Sequence, residues 1–368
     1  MSTRSVTTVC AAIGLMLAST FGMRADERTL LIELEPRSGS LPTGVSASGA
    51  VVSGAFDNGG GFYWMPTTGV IFAGGLQAAG VSRDGHTIVG SARDANRILQ
   101  AGIWAGGTEW RLLGSFPGNA GPCDSSLSQA TGVNRDGQTV VGFAWSGCTS
   151  ARAFRWQESG GMVDLGSTVQ GRSSRALGVS ADGMIVVGDQ TTAEGFNQGA
   201  RWAGGRQELM TGPEGPAGSA MAANHDGSIV VGRVCVPASG RVGDQSAWIW
   251  KAQGGLTCLS APRRLVSPGP AIIVEAAATS DDGQMIGGSQ NVGGSADSNA
   301  VLWIGGQPTY LKEFLQANGL PNAFRTWINT GTITGISPDG RVLVGWGAAA
   351  GGFRGYMVIL GSSRVMPS

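Results

Sequence analysis

A short alternation of polar and apolar positions recurs seven times along the chain. The copies read GVSASGAVVSG at 44–54, GVSRDGHTIVG at 80–90, GVNRDGQTVVG at 132–142, GVSADGMIVVG at 178–188, AANHDGSIVVG at 222–232, ATSDDGQMIGG at 278–288 and GISPDGRVLVG at 335–345. In most copies an Asp-Gly pair separates two short runs, and the second run is rich in β-branched residues. The pattern predicts a β-hairpin in each copy, because Gly accepts a positive φ and Asp caps its own turn.

Each copy is followed by an apolar run that contains an aromatic residue and, in most copies, by one more short run after a Gly-containing turn. The aromatic residues are Trp64, Trp104, Trp156, Trp202, Trp250, Trp303 and, in the last copy, Tyr356. Each unit is therefore predicted to form four antiparallel strands, and one such sheet cannot bury both of its faces alone. Seven units predict an all-β fold, a seven-bladed β-propeller, in preference to a solenoid or a β-sandwich.

The last unit has three predicted strands and ends at Leu360. The segment at 29–34 precedes the first copy and resembles the fourth run of the other units. We predict that this N-terminal strand completes the last blade beside 355–360, which closes the ring and removes its free edges.

The first 25 residues differ from the rest of the chain. Arg4 is followed by a mostly apolar stretch at 6–20 and by small residues near Ala25. This composition predicts a secretory signal peptide, since the stretch is too short for a membrane-spanning helix. No comparable run follows, so we expect residues 26–368 to form a single propeller domain that does not insert into a membrane.

Beyond the predicted signal peptide the chain has four cysteines, Cys123, Cys148, Cys235 and Cys258. An even number of cysteines in an exported protein predicts two disulfides, for which three pairings are possible. We favour the local one, Cys123 with Cys148 and Cys235 with Cys258. No Cys-x-x-Cys spacing indicates a zinc or redox site.

The repeats are separated by connections of unequal length. The longest are at 115–129, 237–246, 261–274 and 315–332, and the apolar spacing at 311–319 predicts one short helix before the last of them. On a rigid repeat scaffold, such insertions are where ligand contacts are expected.

Composition disfavours several classes of function. The 25 basic and 25 acidic residues balance, which disfavours a nucleic-acid partner. Two histidines, His86 and His225, are too few for a His-rich metal site, and no motif indicates a cofactor. The segment at 345–351 imitates a dinucleotide-binding fingerprint but lacks its glycine spacing.

The pattern G-[VI]-[SN]-x-D-G-x-x-V-V-G, followed by A-F-R-W and M-x-D-L-G, resembles the bacterial HAF repeat. Ala153-Phe154 matches most closely the motif that names the family. The resemblance covers nearly the whole chain after residue 25 and implies a propeller exported to the periplasm or exterior of a bacterium. Its motifs are structural, so it implies no catalytic residues.

Two sets of repeated polar residues are candidates for function. The Ser or Asn before each turn forms a candidate channel ring for water or a small polar ligand: Ser46, Ser82, Asn134, Ser180, Asn224, Ser280 and Ser337. The alternative is that each caps its own turn. The repeated Asp residues occur once per blade and cannot converge on one calcium ion, so they are predicted to form the turns.

Among the tryptophans outside the repeat positions, Trp145 and Trp327 lie in or near loops and are the candidate ligand contacts. The repeated aromatic residues are predicted to be core. No G-x-S-x-G motif occurs, and the two histidines belong to different hairpins, so His-activated nucleophilic catalysis is not indicated. Loop carboxylates that would have to converge in space are Asp124, Glu194, Glu214, Asp244 and Glu275.

These observations favour an exported, non-catalytic module that presents loops to a glycan or protein ligand. Two alternatives remain at this point: a propeller glycoside hydrolase or lyase that uses loop carboxylates, and a structural component of the cell envelope. The sequence does not indicate an oligomeric state.

Overall fold

The computed structural model of the chain describes residues 28–34, 39–118, 121–212, 214–235, 245–262, 271–292 and 298–362. The predicted signal peptide lies outside these residues. Within them the protein is almost entirely β-structure, with one helix, α1 (Leu311–Ala317). No helix in this part of the chain is long and apolar enough to cross a membrane.

The described strands form successive antiparallel sheets, named here I to VII in chain order. Sheet I consists of β2 (Ser40–Val45), β3 (Val52–Phe56), β4 (Gly61–Met65) and β5 (Gly69–Gly74). Sheet II consists of β6 (Gln77–Val81), β7 (Ile88–Arg93), β8 (Leu99–Gly106) and β9 (Glu109–Leu112). Sheet III consists of β10 (Ser128–Val133), β11 (Thr139–Ser146), β12 (Ser150–Gln157) and β13 (Gly161–Asp164). Sheet IV consists of β14 (Ser174–Val179), β15 (Ile185–Thr191), β16 (Asn197–Ala203) and β17 (Arg206–Leu209).

A small hairpin, β18 (Thr211–Gly212) with β19 (Gly215–Pro216), follows sheet IV. Sheet V consists of β20 (Ala220–Ala223), β21 (Ile229–Cys235), β22 (Ser246–Lys251) and β23 (Gly255–Cys258). Sheet VI consists of β24 (Ile272–Thr279), β25 (Met285–Val292), β26 (Ser298–Ile304) and β27 (Gln307–Tyr310). Sheet VII consists of β28 (Trp327–Ile336), β29 (Val342–Ala349), β30 (Gly352–Ile359) and the N-terminal β1 (Leu30–Leu34), which pairs antiparallel with β30. Sheets V and VI are linked through the pair Arg233 and Glu275.

The first hairpin of sheet III shows how the repeat folds. Val133 pairs with Val140, so the Asp-Gly signal lies in a turn wider than a two-residue hairpin. Asn134 N–H donates to Thr139 O, and the turn needs Gly137, whose φ is 76°. The β-branched residues after the turn then form the buried second strand of the sheet.

The first strand of each sheet lies innermost and carries a bulge that the sequence does not predict. In sheet III the bulge falls between Ala130 and Gly132, and the other sheets have it at the equivalent place. A Cβ atom built on Gly178, at the equivalent place in sheet IV, would lie only 2.9 Å from the Met221 carbonyl oxygen of the next sheet. Small residues at this position therefore let neighbouring first strands approach closely.

The hydrophobic core is divided among clusters that lie between consecutive sheets. One cluster joins Val89 of sheet II to Phe154 of sheet III, and another joins Val141 of sheet III to Trp202 of sheet IV. The cluster around Leu34 joins β1 and sheet VII to Phe62 of sheet I. Each sheet thus covers its neighbour, and the last sheet contacts the first.

This arrangement of four-stranded antiparallel sheets around innermost first strands is a β-propeller. The predicted helix at 311–319 is confirmed as α1, which ends at Ala317 with Asn318 as its C-cap. Leu311, Phe314 and Leu315 of α1 are buried in the cluster between sheets VI and VII.

Candidate functional site

The two ends of the propeller differ because the strands are antiparallel. The Asp-Gly turns join first to second strands at one end, called here the turn end. The connections from second to third strands, and from one sheet to the next, lie at the other end, called the rim end. The four longest connections between strands therefore all leave from the rim end.

Both disulfides also lie toward the rim end. Cys123, in the connection before sheet III, is bonded to Cys148 in the loop between β11 and β12, with a Cα–Cα distance of 5.0 Å. Cys235 of β21 is bonded to Cys258 of β23, with a Cα–Cα distance of 5.7 Å. The predicted local pairing is confirmed, and each bond fastens chain segments next to a long connection.

The seven residues of the candidate channel ring all serve their own turns. Each accepts a hydrogen bond from the backbone N–H five residues later, at 2.8–3.0 Å. None is more than 4% exposed. The hydroxyls of Ser82, Ser180, Ser280 and Ser337 also donate to the Asp two residues on. This is the turn-capping alternative of the sequence analysis.

At the turn end, hydrogen bonds and an ion pair connect the turns of different sheets. Backbone N–H groups of one turn donate to carbonyls of the next, as from Asp84 to Arg135 at 3.2 Å and from Arg135 to Ala181 at 3.1 Å. Arg83 of sheet II forms an ion pair with Asp281 of sheet VI at 2.7 Å. Sheets II and VI are not neighbours, so this ion pair reaches across the centre of the turn end.

Toward the rim end, four charged residues and one serine from three consecutive sheets come together. They are called here the rim cluster. Sheet IV contributes Arg175 and Asp189, sheet V contributes Arg233, and sheet VI contributes Glu275; Ser219 directly precedes the first strand of sheet V. Arg175 and Asp189 are cross-strand partners. The Ser219 hydroxyl donates to Asp189 Oδ2 at 2.8 Å, and Arg233 Nη1 lies 3.4 Å from Glu275 Oε1.

Asp189 is the most buried charged group of the rim cluster, at 4% exposure. Desolvation raises the pKa of Asp189 above its ordinary value of 3.8, while the hydrogen bond from Ser219 and the charges of Arg175 and Arg233 oppose this rise. The carboxylate thus lies near two cations, whose charges offset only part of the effect of its burial.

The rim end also carries exposed aromatic surface. Trp346 of β29 occupies the same position in sheet VII as Asp189 in sheet IV, because each directly follows the glycine that ends the repeat. Trp346 packs edge-on against Phe353, with ring centroids 5.2 Å apart, and Phe353 is 42% exposed. Together they form an aromatic platform at the rim end of sheet VII.

The structure places the two candidate tryptophan contacts differently. Trp145 is half-buried next to the Cys148 loop, and its buried indole N–H has no hydrogen-bond acceptor among the described residues. Trp327 instead lies in the core, 8% exposed, where it packs edge-on against Phe324 and Tyr356. Its indole N–H donates to Glu33 of β1 at 3.0 Å. Trp327 therefore has a structural role in the core and is not placed to contact a ligand.

The candidate carboxylates do not share one location. Asp124, Glu194 and Glu214 are exposed on three different connections, whereas Glu275 belongs to the rim cluster. Asp244 lies outside the described residues. In the part of the chain that the structure describes, no group of three His, Cys, Asp or Glu residues is placed to hold a metal ion.

Residues of the rim cluster other than Glu275 were not found by sequence reasoning. A usable signal exists, since Asp189 and Arg233 follow the repeat glycine at a position where other copies carry Ser91, Ser289 or Ala55. Their partners come from neighbouring sheets, however, and the spacing along the chain does not show which side chains meet.

The fold and the rim end thus define a β-propeller with a charged and aromatic face. No protein-family model matches the sequence, and the search of curated proteins found no match. Among solved structures, the chain is similar to the hydrazine synthase of Kuenenia stuttgartiensis, with 11% identity, a TM-score of 0.51, and coverage of 92% of this chain and 98% of that one. It is also similar to TolB from Acinetobacter baumannii, with 12% identity, a TM-score of 0.43, and coverage of 81% and 67%. At 11% identity, the likeness to the hydrazine synthase concerns the fold alone.

Proposed function

We propose that the protein is an exported seven-bladed propeller of the HAF-repeat type, in which sheets I to VII are the blades and β1 closes the ring. Residues 26–368 form its single domain. Two disulfides support export, because such bonds persist in oxidising compartments. The repeat motifs quoted above support the HAF assignment.

Ring closure is supported by hydrogen bonds that recur at other boundaries between sheets. Ser128 accepts from Ala101 N–H and donates to Gly114 O, which joins sheet II to sheet III. Ser40 makes the equivalent bonds, accepting from Gly355 N–H and donating to Leu34 O. β1 therefore takes the place that a fourth strand has in the other sheets.

We propose further that the rim end binds a glycan without cleaving it. The observation that carries this proposal is the joint presence of planar polar side chains and an aromatic platform. The rim cluster offers paired donors and acceptors suited to hydroxyl groups, and the half-buried Trp346 with the exposed Phe353 offers aromatic surface for a sugar. Sites for small ligands commonly combine such apolar walls with a few convergent polar groups.

The experiment is retention of oligosaccharides by the purified protein, with mass spectrometry of the bound and free fractions. Retention without new fragments is the expected result. The variant Trp346→Ala should lose retention, whereas Met184→Ala should keep it, because Met184 is an exposed apolar residue at the turn end.

Two other results contradict the proposal. New fragments would show a hydrolase or lyase and would direct attention to Glu275 and the exposed loop carboxylates. Absence of both retention and fragments would exclude glycan binding and favour a protein partner or a structural role.

A further inference from the structure

Three arginine side chains in the described part of the chain lie over aromatic rings. Arg111 lies 5.2 Å from the Trp156 centroid, Arg201 lies 5.2 Å from that of Trp250, and Arg175 lies 5.4 Å from that of Phe143. Stacking of this kind holds the guanidinium plane in a fixed orientation, which leaves its N–H groups available at the edge.

The first two stacked arginines bind a carboxylate of the protein itself. Arg111 Nη2 lies 2.7 Å from Glu158 Oε2, and Arg201 Nη1 lies 3.0 Å from Glu208 Oε2. In both cases the arginine that stacks on an aromatic ring also forms an ion pair with a nearby carboxylate.

Arg175 has the stacking, but the nearby Asp189 carboxylate acts on it through charge alone and accepts no hydrogen bond from it. Among the described residues, no side chain or backbone oxygen accepts a hydrogen bond from its guanidinium. Its cross-strand neighbour Asp189 is directed to the Ser219 hydroxyl of the next sheet, at 2.8 Å. The other cation of the rim cluster, Arg233, is already paired with Glu275.

Arg175 is therefore a half-buried, oriented cation whose donors are unused within the described part of the chain. A planar guanidinium binds a carboxylate through two parallel hydrogen bonds, which gives both energy and direction. The half-buried surroundings strengthen such a pair, since water competes for it less than at a fully exposed site.

We infer that Arg175 binds a carboxylate of the ligand, so that the rim end is selective for acidic glycans such as uronic-acid oligosaccharides. This inference rests on the proposed glycan-binding function. In the bound state the sugar carboxylate meets the edge of Arg175, as Glu158 meets Arg111, while neighbouring hydroxyls meet the remaining polar groups of the rim.

The test compares an oligogalacturonate with its carboxyl-reduced form, which keeps the sugar backbone and loses the charge. Calorimetric titration of the unaltered protein should show about tenfold or greater preference for the acidic form, as expected for two charge-assisted hydrogen bonds. Arg175→Gln should abolish the preference, and Arg175→Lys should keep part of it. Arg111→Gln removes a stacked arginine elsewhere and should leave the preference unchanged.

The outcomes separate the two proposals. Equal affinity for the acidic and reduced sugars would overturn the assignment of Arg175 while leaving glycan binding intact. An acidic preference that survives Arg175→Gln in a folded protein, judged by its circular dichroism and Tm, would overturn it as well. Failure of both sugars, and of the wider panel, would contradict the glycan-binding function itself.

Discussion

Individual polar side chains in this protein form hydrogen bonds with backbone groups of the turns that would otherwise be buried without a partner. Ser180 accepts from Ile185 N–H and donates to Asp182, whose other partner is the Met184 N–H. Asp189 is a different case, since burial opposes its charge and, among the described residues, its carboxylate accepts one hydrogen bond, from Ser219 beside sheet V. The titration of Asp189 should therefore be visible in the stability of the protein.

Replacement Asp189→Asn should stabilise the protein near neutral pH and have little effect at acidic pH. Between the unfolded pKa of about 3.8 and the raised pKa of the folded state, the folded protein binds more protons than the unfolded chain, so stability falls as the pH rises through this window and stays lower above it. Asn keeps an acceptor for Ser219 but cannot ionise. The Tm of the variant relative to the unaltered protein should rise by about 2 °C or more between pH 3 and pH 7.

Thermal scans at several pH values check this expectation, and Glu214→Gln is the control because Glu214 is exposed on a nearby connection. A Tm difference that is constant over the pH range would contradict it. A variant that is less stable at pH 7 than at pH 3, relative to the unaltered protein, would reverse the sign of the argument.

At the residue scale, turn chemistry was predictable and the rim cluster was not. The Ser, Asn and Asp side chains of the turns bind backbone groups within five residues, so local spacing contains the information. The contact between Ser219 and Asp189 spans 30 residues and two sheets. Nothing in either hairpin alone indicates that these two side chains meet.

The strands and turns of this fold follow from a sequence repeat that forms the same local structure in each sheet. The hairpins, the helix α1 and the two local disulfides were predicted because each depends on short stretches of chain. The bulge in each first strand was not predicted, because it depends on contacts with the neighbouring sheet. Gly178 leaves room for the Met221 carbonyl of the next sheet, a contact that hydrophobic alternation along the chain does not show.

The N-terminal strand β1 should contribute to stability far more than its length suggests. Leu34 is fully buried in the cluster shared by sheets VII and I, so Leu34→Ala should lower the free energy of unfolding by about 2–5 kcal/mol. Deletion of residues 29–34 should be more damaging still. Chemical denaturation followed by tryptophan fluorescence measures both effects.

Val163→Ala serves as the matched control for Leu34→Ala. Val163 belongs to β13, the fourth strand of sheet III, and is 48% exposed, so its truncation should change the free energy of unfolding little. An unchanged denaturation midpoint after deletion of β1 would contradict the proposal that β1 closes the ring.

The whole molecule is held by contacts between neighbouring sheets and by one ion pair that joins distant ones. Arg83 and Asp281 belong to sheets II and VI, and their side chains are 21% and 32% exposed. A pair in this position couples parts of the ring that share no strand boundary. The sequence gives no sign of the pair, because it depends on the curvature of the complete fold.

The energetic coupling of this pair can be measured by a double-mutant cycle with Arg83→Gln and Asp281→Asn. The partly buried position should give a coupling energy of about 1 kcal/mol, at the upper end of the range for accessible ion pairs. Urea denaturation of the four proteins gives the value. Strict additivity of the two single substitutions would show that the contact contributes nothing to the ring.

The pairing of β1 with β30 has a consequence for biosynthesis. Leu30 lies opposite Ile359, so the two partners are separated by 329 residues of chain, the difference of their numbers. A chain made from its N-terminus must hold β1 unpaired until the last strand emerges, while all the intervening hairpins can already form. Closing so large a loop is slow, and unpaired strand edges promote association between chains. We therefore expect a nearly complete, open intermediate to be the species on which chaperones act during maturation.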